Sequence, residues 1–232
     1  MIRGIIETSF LDWDGKLVMV LYTPRCNLRC PFCHNYELLE NPDRYPEKKW
    51  ASVRNLLKKH SDFLDGVCIT GGEPLLEPDL EDWMRKIKGM GKLVKLDTNG
   101  TMPDVLADLI EKKLVDYIAM DVKWPLRKGY SKATGVETDI KKIKQSVGII
   151  MDSGLDYEFR TTVVPGIHTH DDVVEIARQL KGAKKYVIQQ FAPFHAWDEK
   201  LREVKPFDNE AIARMADDCS QYVEEMIVRG MR

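Results

Sequence analysis

Cys26, Cys30 and Cys33 fall within eight positions in the stretch Tyr22-Thr-Pro-Arg-Cys-Asn-Leu-Arg-Cys-Pro-Phe-Cys-His-Asn-Tyr36. A thiolate is soft and anionic, so three on one loop repel one another unless a soft cation such as zinc, or an iron–sulfur cluster, neutralises them. Three protein ligands also leave a coordination position open, as a catalytic metal site requires and a structural one avoids. Other readings of the same residues stay open here. His34 supplies a fourth ligand for zinc. Cys30-Pro-Phe-Cys33-His34 satisfies the pattern for covalent attachment of a c-type haem, although haem attachment requires export and Met1 to Phe10 has no long apolar core or cleavage site. A disulfide framework fits least, because five cysteines in 232 residues are few and odd in number.

The elements that must carry this loop read as alternating strands and helices. Residues 2–8 and 17–23 form a predicted N-terminal hairpin, about 1–23, turning at Asp12-Trp-Asp-Gly15. Its second strand is almost wholly apolar, as in a parallel sheet covered on both faces. Further strands are expected over 66–70, 93–96, 117–120, 157–164 and 186–191. Helices are expected over 47–60, 79–90, 103–113, 138–151 and 171–180. A last helix, about 207–229, is capped by Asp208 and carries Ile212, Met215, Cys219, Tyr222, Val223 and Met226 as one stripe, which makes Cys219 a core residue. Strict alternation argues for six parallel βα units, compatible with a partial barrel or an open doubly wound sheet.

Composition bounds the rest. At 44% hydrophobic content, 232 residues suffice for one core, and a single domain over 1–232 is expected. The net charge of −2 leaves no footprint for nucleic acid or an anionic membrane. No apolar run approaches the ~20 residues of a membrane span. Unpaired cysteines without a signal peptide read as cytoplasmic.

Every unusual motif follows the C-terminal end of a predicted strand: the cysteine loop, Gly71-Gly72-Glu73-Pro74, Asp97-Thr-Asn99-Gly100, Asp121-Val-Lys123, Val164-Pro-Gly166 and Phe194-His195. That edge is where parallel α/β folds place their active sites. Asp121 and Lys123, two apart, project to one face; they form an internal salt bridge or meet a charged ligand. Alternation puts Glu158 and Arg160 together on one side of their strand. His195 is either packed between Phe191 and Trp197 or a ligand contact.

The order Cys-x3-Cys-x2-Cys, with Phe32 before the third cysteine, resembles the signature of the radical S-adenosylmethionine (SAM) enzymes, and Gly71-Gly72-Glu73 looks like their Gly-Gly-Glu motif. The resemblance implies a partial (β/α)6 TIM barrel, an α/β fold, and a [4Fe–4S] cluster on Cys26, Cys30 and Cys33 whose fourth iron takes SAM. Cys33-His-Asn35, Leu96-Asp-Thr-Asn-Gly100, Met120-Asp-Val-Lys123, Val163-Val-Pro-Gly166 and Pro193-Phe-His195 are similar to motifs of the glycyl-radical-enzyme activases. Within that group, Val94 to Gly100 and Leu114 to Lys123 look most like the longer type of anaerobic ribonucleoside-triphosphate reductase activating protein.

By this resemblance Phe32, His34, Asn35, Gly72, Glu73, Asp97, Asn99, Asp121, Lys123, Arg160 and His195 contact SAM, with a monovalent cation near Asp97 and Asp121. Lys123 joins the three cysteines in the catalytic set. The implied activity is reductive cleavage of SAM to a 5′-deoxyadenosyl radical, which takes a hydrogen atom from a glycine Cα of the partner. The implied partners are a glycyl radical enzyme and an electron donor such as flavodoxin or ferredoxin. Activases of pyruvate formate-lyase and radical SAM enzymes of small molecules share these motifs. Arg25 and Asp14 stand where glycine and proline are frequent, which loosens the subgroup and leaves the ligand set intact.

Overall fold

The computed structural model describes residues 1–231. Its elements in order are β1 (Gly4–Ser9), β2 (Val18–Thr23), α1 (Tyr36–Glu40), α2 (Trp50–Lys59), β3 (Gly66–Gly71), α3 (Leu80–Gly89), β4 (Leu93–Thr98), α4 (Pro103–Glu111) and β5 (Tyr117–Asp121). There follow α5 (Ser131–Thr134), α6 (Ile140–Asp152), β6 (Asp156–Val163), α7 (His170–Gln179), β7 (Lys185–Gln190), α8 (Asn209–Ser220) and β8 (Glu225–Arg229). The chain divides into two compact units, one of residues 1–27, 37–98 and 104–118, the other of 28–36, 99–103 and 119 onward.

In the first unit β1 pairs antiparallel with β2, while β2, β3 and β4 run parallel, with Thr23 opposite Gly71 and Ile69 opposite Leu96. Val18, Met19, Val20 and Leu21 of β2 are wholly buried, as the unbroken apolar run requires. Each such side chain contributes about 2 kcal/mol of burial. The helical periodicity places Val53 and Leu57 of α2, and Leu80, Trp83, Met84 and Ile87 of α3, on buried faces. Trp13 of the hairpin turn packs with Val18, Val20 and Cys68.

In the second unit β6, β7 and β8 are parallel, with Val163 opposite Gln190 and Gln189 opposite Arg229. Thr169 and Asp172 close a capping box on α7. Asp208 caps α8 as expected, accepting from the Ala211 amide at 2.7 Å.

The C-terminal helix expected over about 207–229 is corrected: α8 stops at Ser220, and Glu225-Met-Ile-Val-Arg229 is a strand. Ile212, Met215 and Cys219 keep their buried stripe. Tyr222, Val223 and Met226 only continue its spacing by coincidence. The parallel ladder to β7 satisfies the backbone of this β-branched run, and the Gly182 amide binds the Tyr222 carbonyl at 2.8 Å to set the return.

Candidate functional site

In the first unit the residues flanking Cys26 are built by close backbone approach. The Gly72 amide donates to the Thr23 carbonyl at 2.8 Å and the Glu73 amide to the Arg25 carbonyl at 2.5 Å. A Cβ on Gly72 would sit 2.0 Å from the Arg25 oxygen, and Gly71, at φ +113, would collide with the backbone of Thr23. The two glycines therefore seat the chain that enters the cysteine loop. Glu73 is fully buried and its carboxylate accepts from the Leu75 amide at 3.2 Å and the Thr98 hydroxyl at 2.8 Å. Its side chain braces the turn after β3 against β4.

Asp97 lies 3.0 Å from the ammonium of Lys95, a buried lysine that also donates to the Asp12 carbonyl. Lys95 was not singled out from the sequence. The available signal was its place two residues before Asp97 on one strand, hence on the same face.

In the second unit the loop continues with Cys30, Phe32, Cys33, His34 and Asn35. Cys30 and Phe32 are buried, and the Cys33 amide turns back onto the Cys30 carbonyl at 3.0 Å. Arg29 donates its amide to Thr134 at 2.8 Å, and Gly135, at φ +70, lies so close that a Cβ would meet the Arg29 oxygen at 2.0 Å. His34 donates from Nε2 to the Ala192 carbonyl at 2.8 Å.

Asn99 accepts from the Thr101 amide and hydroxyl, so its carboxamide serves its own turn. His195 is exposed on a short turn with its ring 5.1 Å from Phe194; the packed alternative between Phe191 and Trp197 is not what forms.

The main electrostatic feature is a ladder of alternating charge. Lys123 donates to Asp121 at 2.9 Å, Asp121 accepts from Arg160 at 2.9 Å, and Arg160 lies 3.9 Å from Glu158. Glu158, 1% exposed, is gripped by both guanidinium nitrogens of Arg229 at 2.9 and 2.8 Å. The sequence places Asp121 with Lys123 and Glu158 with Arg160, but Arg229 comes from β8, the strand read as helix. Burial alone would raise Asp121, yet Arg160 and Lys123 hold its carboxyl well below the usual range. Burial would likewise lower Lys123, but Asp121 and a Cys30 thiolate hold the ammonium above its ordinary value.

Beside His34 opens a cavity of about 820 Å3 lined among others by Gln190, Phe191, Phe194, Phe207 and Arg229.

None of Cys26, Cys30 and Cys33 is in a disulfide. Three soft donors in unbridged form fit an iron–sulfur cluster with three protein ligands. Among the described residues, no three His, Cys, Asp or Glu side chains are grouped closely enough to hold a metal ion as they stand. Cys68 and Cys219 are fully buried, Cys68 with Trp13, Val18 and Val20 and within reach of Asp97, and Cys219 in the α8 stripe. Among the described residues, no helix is long and apolar enough to cross a membrane.

The chain belongs to the radical SAM superfamily, whose sequence profile matches residues 20–187. Its glycyl-radical-activating branch is represented by a protein of Methanocaldococcus jannaschii that carries the name glycyl-radical enzyme activating enzyme. That protein is 33% identical over 99% of this chain and 95% of its own length. The pyruvate formate-lyase-activating enzyme of Staphylococcus epidermidis is 28% identical over 91% of this chain and 93% of its length. Among solved structures, Streptococcus suis SuiB bound to S-adenosylmethionine shares the fold with a TM-score of 0.69 at 14% identity. The match spans 90% of this chain and 49% of SuiB. The chain is thus a radical SAM enzyme of the glycyl-radical-enzyme activating kind, and the superfamily implies a [4Fe–4S] cluster and SAM.

Proposed function

We propose that this chain activates an anaerobic ribonucleoside-triphosphate reductase, working as one cytoplasmic domain supplied with electrons by a flavodoxin or ferredoxin. Cys26, Cys30 and Cys33 would hold the cluster. Phe32, His34, Asn35, Gly72, Glu73, Asp97, Asn99, Asp121, Lys123, Arg160 and His195 would contact SAM. When bound, the two groups supply reductive cleavage of SAM and hydrogen-atom abstraction from a glycine Cα of the partner. The protein's residues orient SAM and exclude water and competing hydrogen donors.

The observation that carries this reading is the Lys123 ammonium held 2.9 Å from Asp121, a fixed cation of the kind a ligand carboxylate needs. The cavity beside His34 gives an incoming partner segment aromatic surface to rest on. The monovalent cation expected near Asp97 and Asp121 is not part of this reading, because Lys95 and Lys123 already answer those carboxylates.

Anaerobic reconstitution with iron and sulfide, followed by SAM, dithionite and purified candidate partners, tests it. A glycyl radical signal on the reductase is the expected result. A signal only on a pyruvate formate-lyase refutes the partner choice. Deoxyadenosine formation with no radical on any glycyl enzyme favours a small-molecule substrate.

A further inference from the structure

The sheet ladder beside β5 ends at Val122, whose amide donates to the Arg160 carbonyl at 2.8 Å and whose carbonyl accepts from the Thr161 hydroxyl at 2.7 Å. Beyond it, side chains take over. The Lys123 amide donates to the Tyr130 hydroxyl at 3.0 Å, and the Lys123 carbonyl accepts from His168 Nε2 at 2.9 Å. A carbonyl only accepts, so His168 carries its proton on Nε2. Its Nδ1 is then the lone pair that accepts the Val164 amide at 3.1 Å. Both ring nitrogens are committed, and the imidazole is neutral in a single tautomer.

His168 and Tyr130 are 3% and 2% exposed, so the groups they satisfy have no water to fall back on. The His168 ring also meets Phe32 of the cysteine loop edge-on, with centroids 6.4 Å apart, and Trp124 at 5.6 Å. One side chain thus touches Lys123 two residues past β5, Val164 just past β6, and Phe32 of the cysteine loop. Asp121 and Lys123 can meet on one face only while the backbone stays extended through Lys123.

We propose that His168 and Tyr130 are positioning residues that clamp the Lys123 peptide and so aim its ammonium at the SAM site. The proposal rests on the reading that Lys123 contacts SAM. Neither residue touches a reacting atom; both act through Lys123.

The test uses the full chain with its cluster reconstituted. SAM is titrated against the EPR spectrum of the reduced cluster, and iron and sulfide are counted per chain. His168→Phe keeps the ring and removes both hydrogen bonds, and is expected to weaken SAM binding about tenfold with iron content unchanged. His168→Gln, whose carboxamide offers a donor and an acceptor, should return affinity to within about threefold of the parent. Tyr130→Phe loses only a hydroxyl and should weaken binding about threefold.

Action through Lys123 further requires that His168→Phe add nothing in a Lys123→Met background. Unchanged SAM affinity in both His168→Phe and Tyr130→Phe overturns the proposal, as does a full additional loss in the Lys123→Met background. Should His168→Phe fail to fold, Tyr130→Phe still decides. A parent chain whose cluster spectrum ignores SAM refutes the underlying reading, and the clamp's purpose with it.

Discussion

Glu158→Gln keeps the size of the side chain and removes one of two anions from a ladder that holds three cations, Lys123, Arg160 and Arg229. The parent carboxylate is 1% exposed and takes two charge-assisted bonds from Arg229, at 2.9 and 2.8 Å. A neutral carboxamide accepts through one oxygen and turns an N–H toward a guanidinium, so at least one of those bonds is lost. Breaking a buried ion pair from one side costs roughly 3–5 kcal/mol. The lower end applies here, because the Arg229 side chain is 27% exposed and water relieves part of its charge.

For a chain of this length 1 kcal/mol moves the melting temperature by about 2–4 °C, so a fall of about 6–12 °C is expected by circular dichroism on the metal-free chain. Arg229→Gln combined with Glu158→Gln should recover part of the loss, with a coupling of at least ~1 kcal/mol. A fall under about 3 °C, or strictly additive losses in the double variant, would show that the ladder is not a coupled buried network.

Three further outcomes follow from the same geometry. Gly72→Ala forces a Cβ to 2.0 Å from the Arg25 oxygen and should cost most of the bound iron, measured per chain, while Gly89→Ala, with open space, leaves iron unchanged. Cys30→Ala should abolish cluster binding and SAM cleavage in a folded chain, and Cys219→Ala, in the α8 core, should retain both; retained cleavage in Cys30→Ala would sink the ligand assignment. Burial holds the His168 imidazole below its ordinary pKa, despite the Lys123 carbonyl and Asp172 pulling the other way. The unfolded chain therefore binds a proton first. Stability present above about pH 6.5 falls as pH drops toward the folded value, and His168→Gln should flatten that slope in melts between about pH 7.5 and 5.5. Equal slopes would mean that His168 does not titrate differently on folding.

Much of the fold was legible because its signals are local. The apolar run of β2, the 3.6-residue stripes of α2, α3 and α8, and the breaks at Gly71, Gly100 and Gly166 each depend on a few adjacent residues. Helix and strand ends from that reading match to within three residues across most of the chain. The short helices α1 and α5 go unread, and β8 reads as helix. Its five residues carry both a strand composition and the tail of a helical period, and only pairing with β7 chooses between them.

The site divides in the same way. Spacing alone marks Cys26, Cys30 and Cys33 as ligands for a soft metal and puts Asp121 and Lys123 on one face, while the Gly71-Gly72 pair is singled out by its resemblance to a family motif. Only the tertiary structure assigns Glu73 to bracing β4, Lys95 to Asp97, Arg229 to Glu158, and His168 and Tyr130 to the Lys123 peptide. Period and spacing are properties of a segment and survive without its neighbours. The partner of a buried charge or an orphaned peptide group is whichever residue the packed chain delivers to it, and for Glu158 that residue lies 71 positions away.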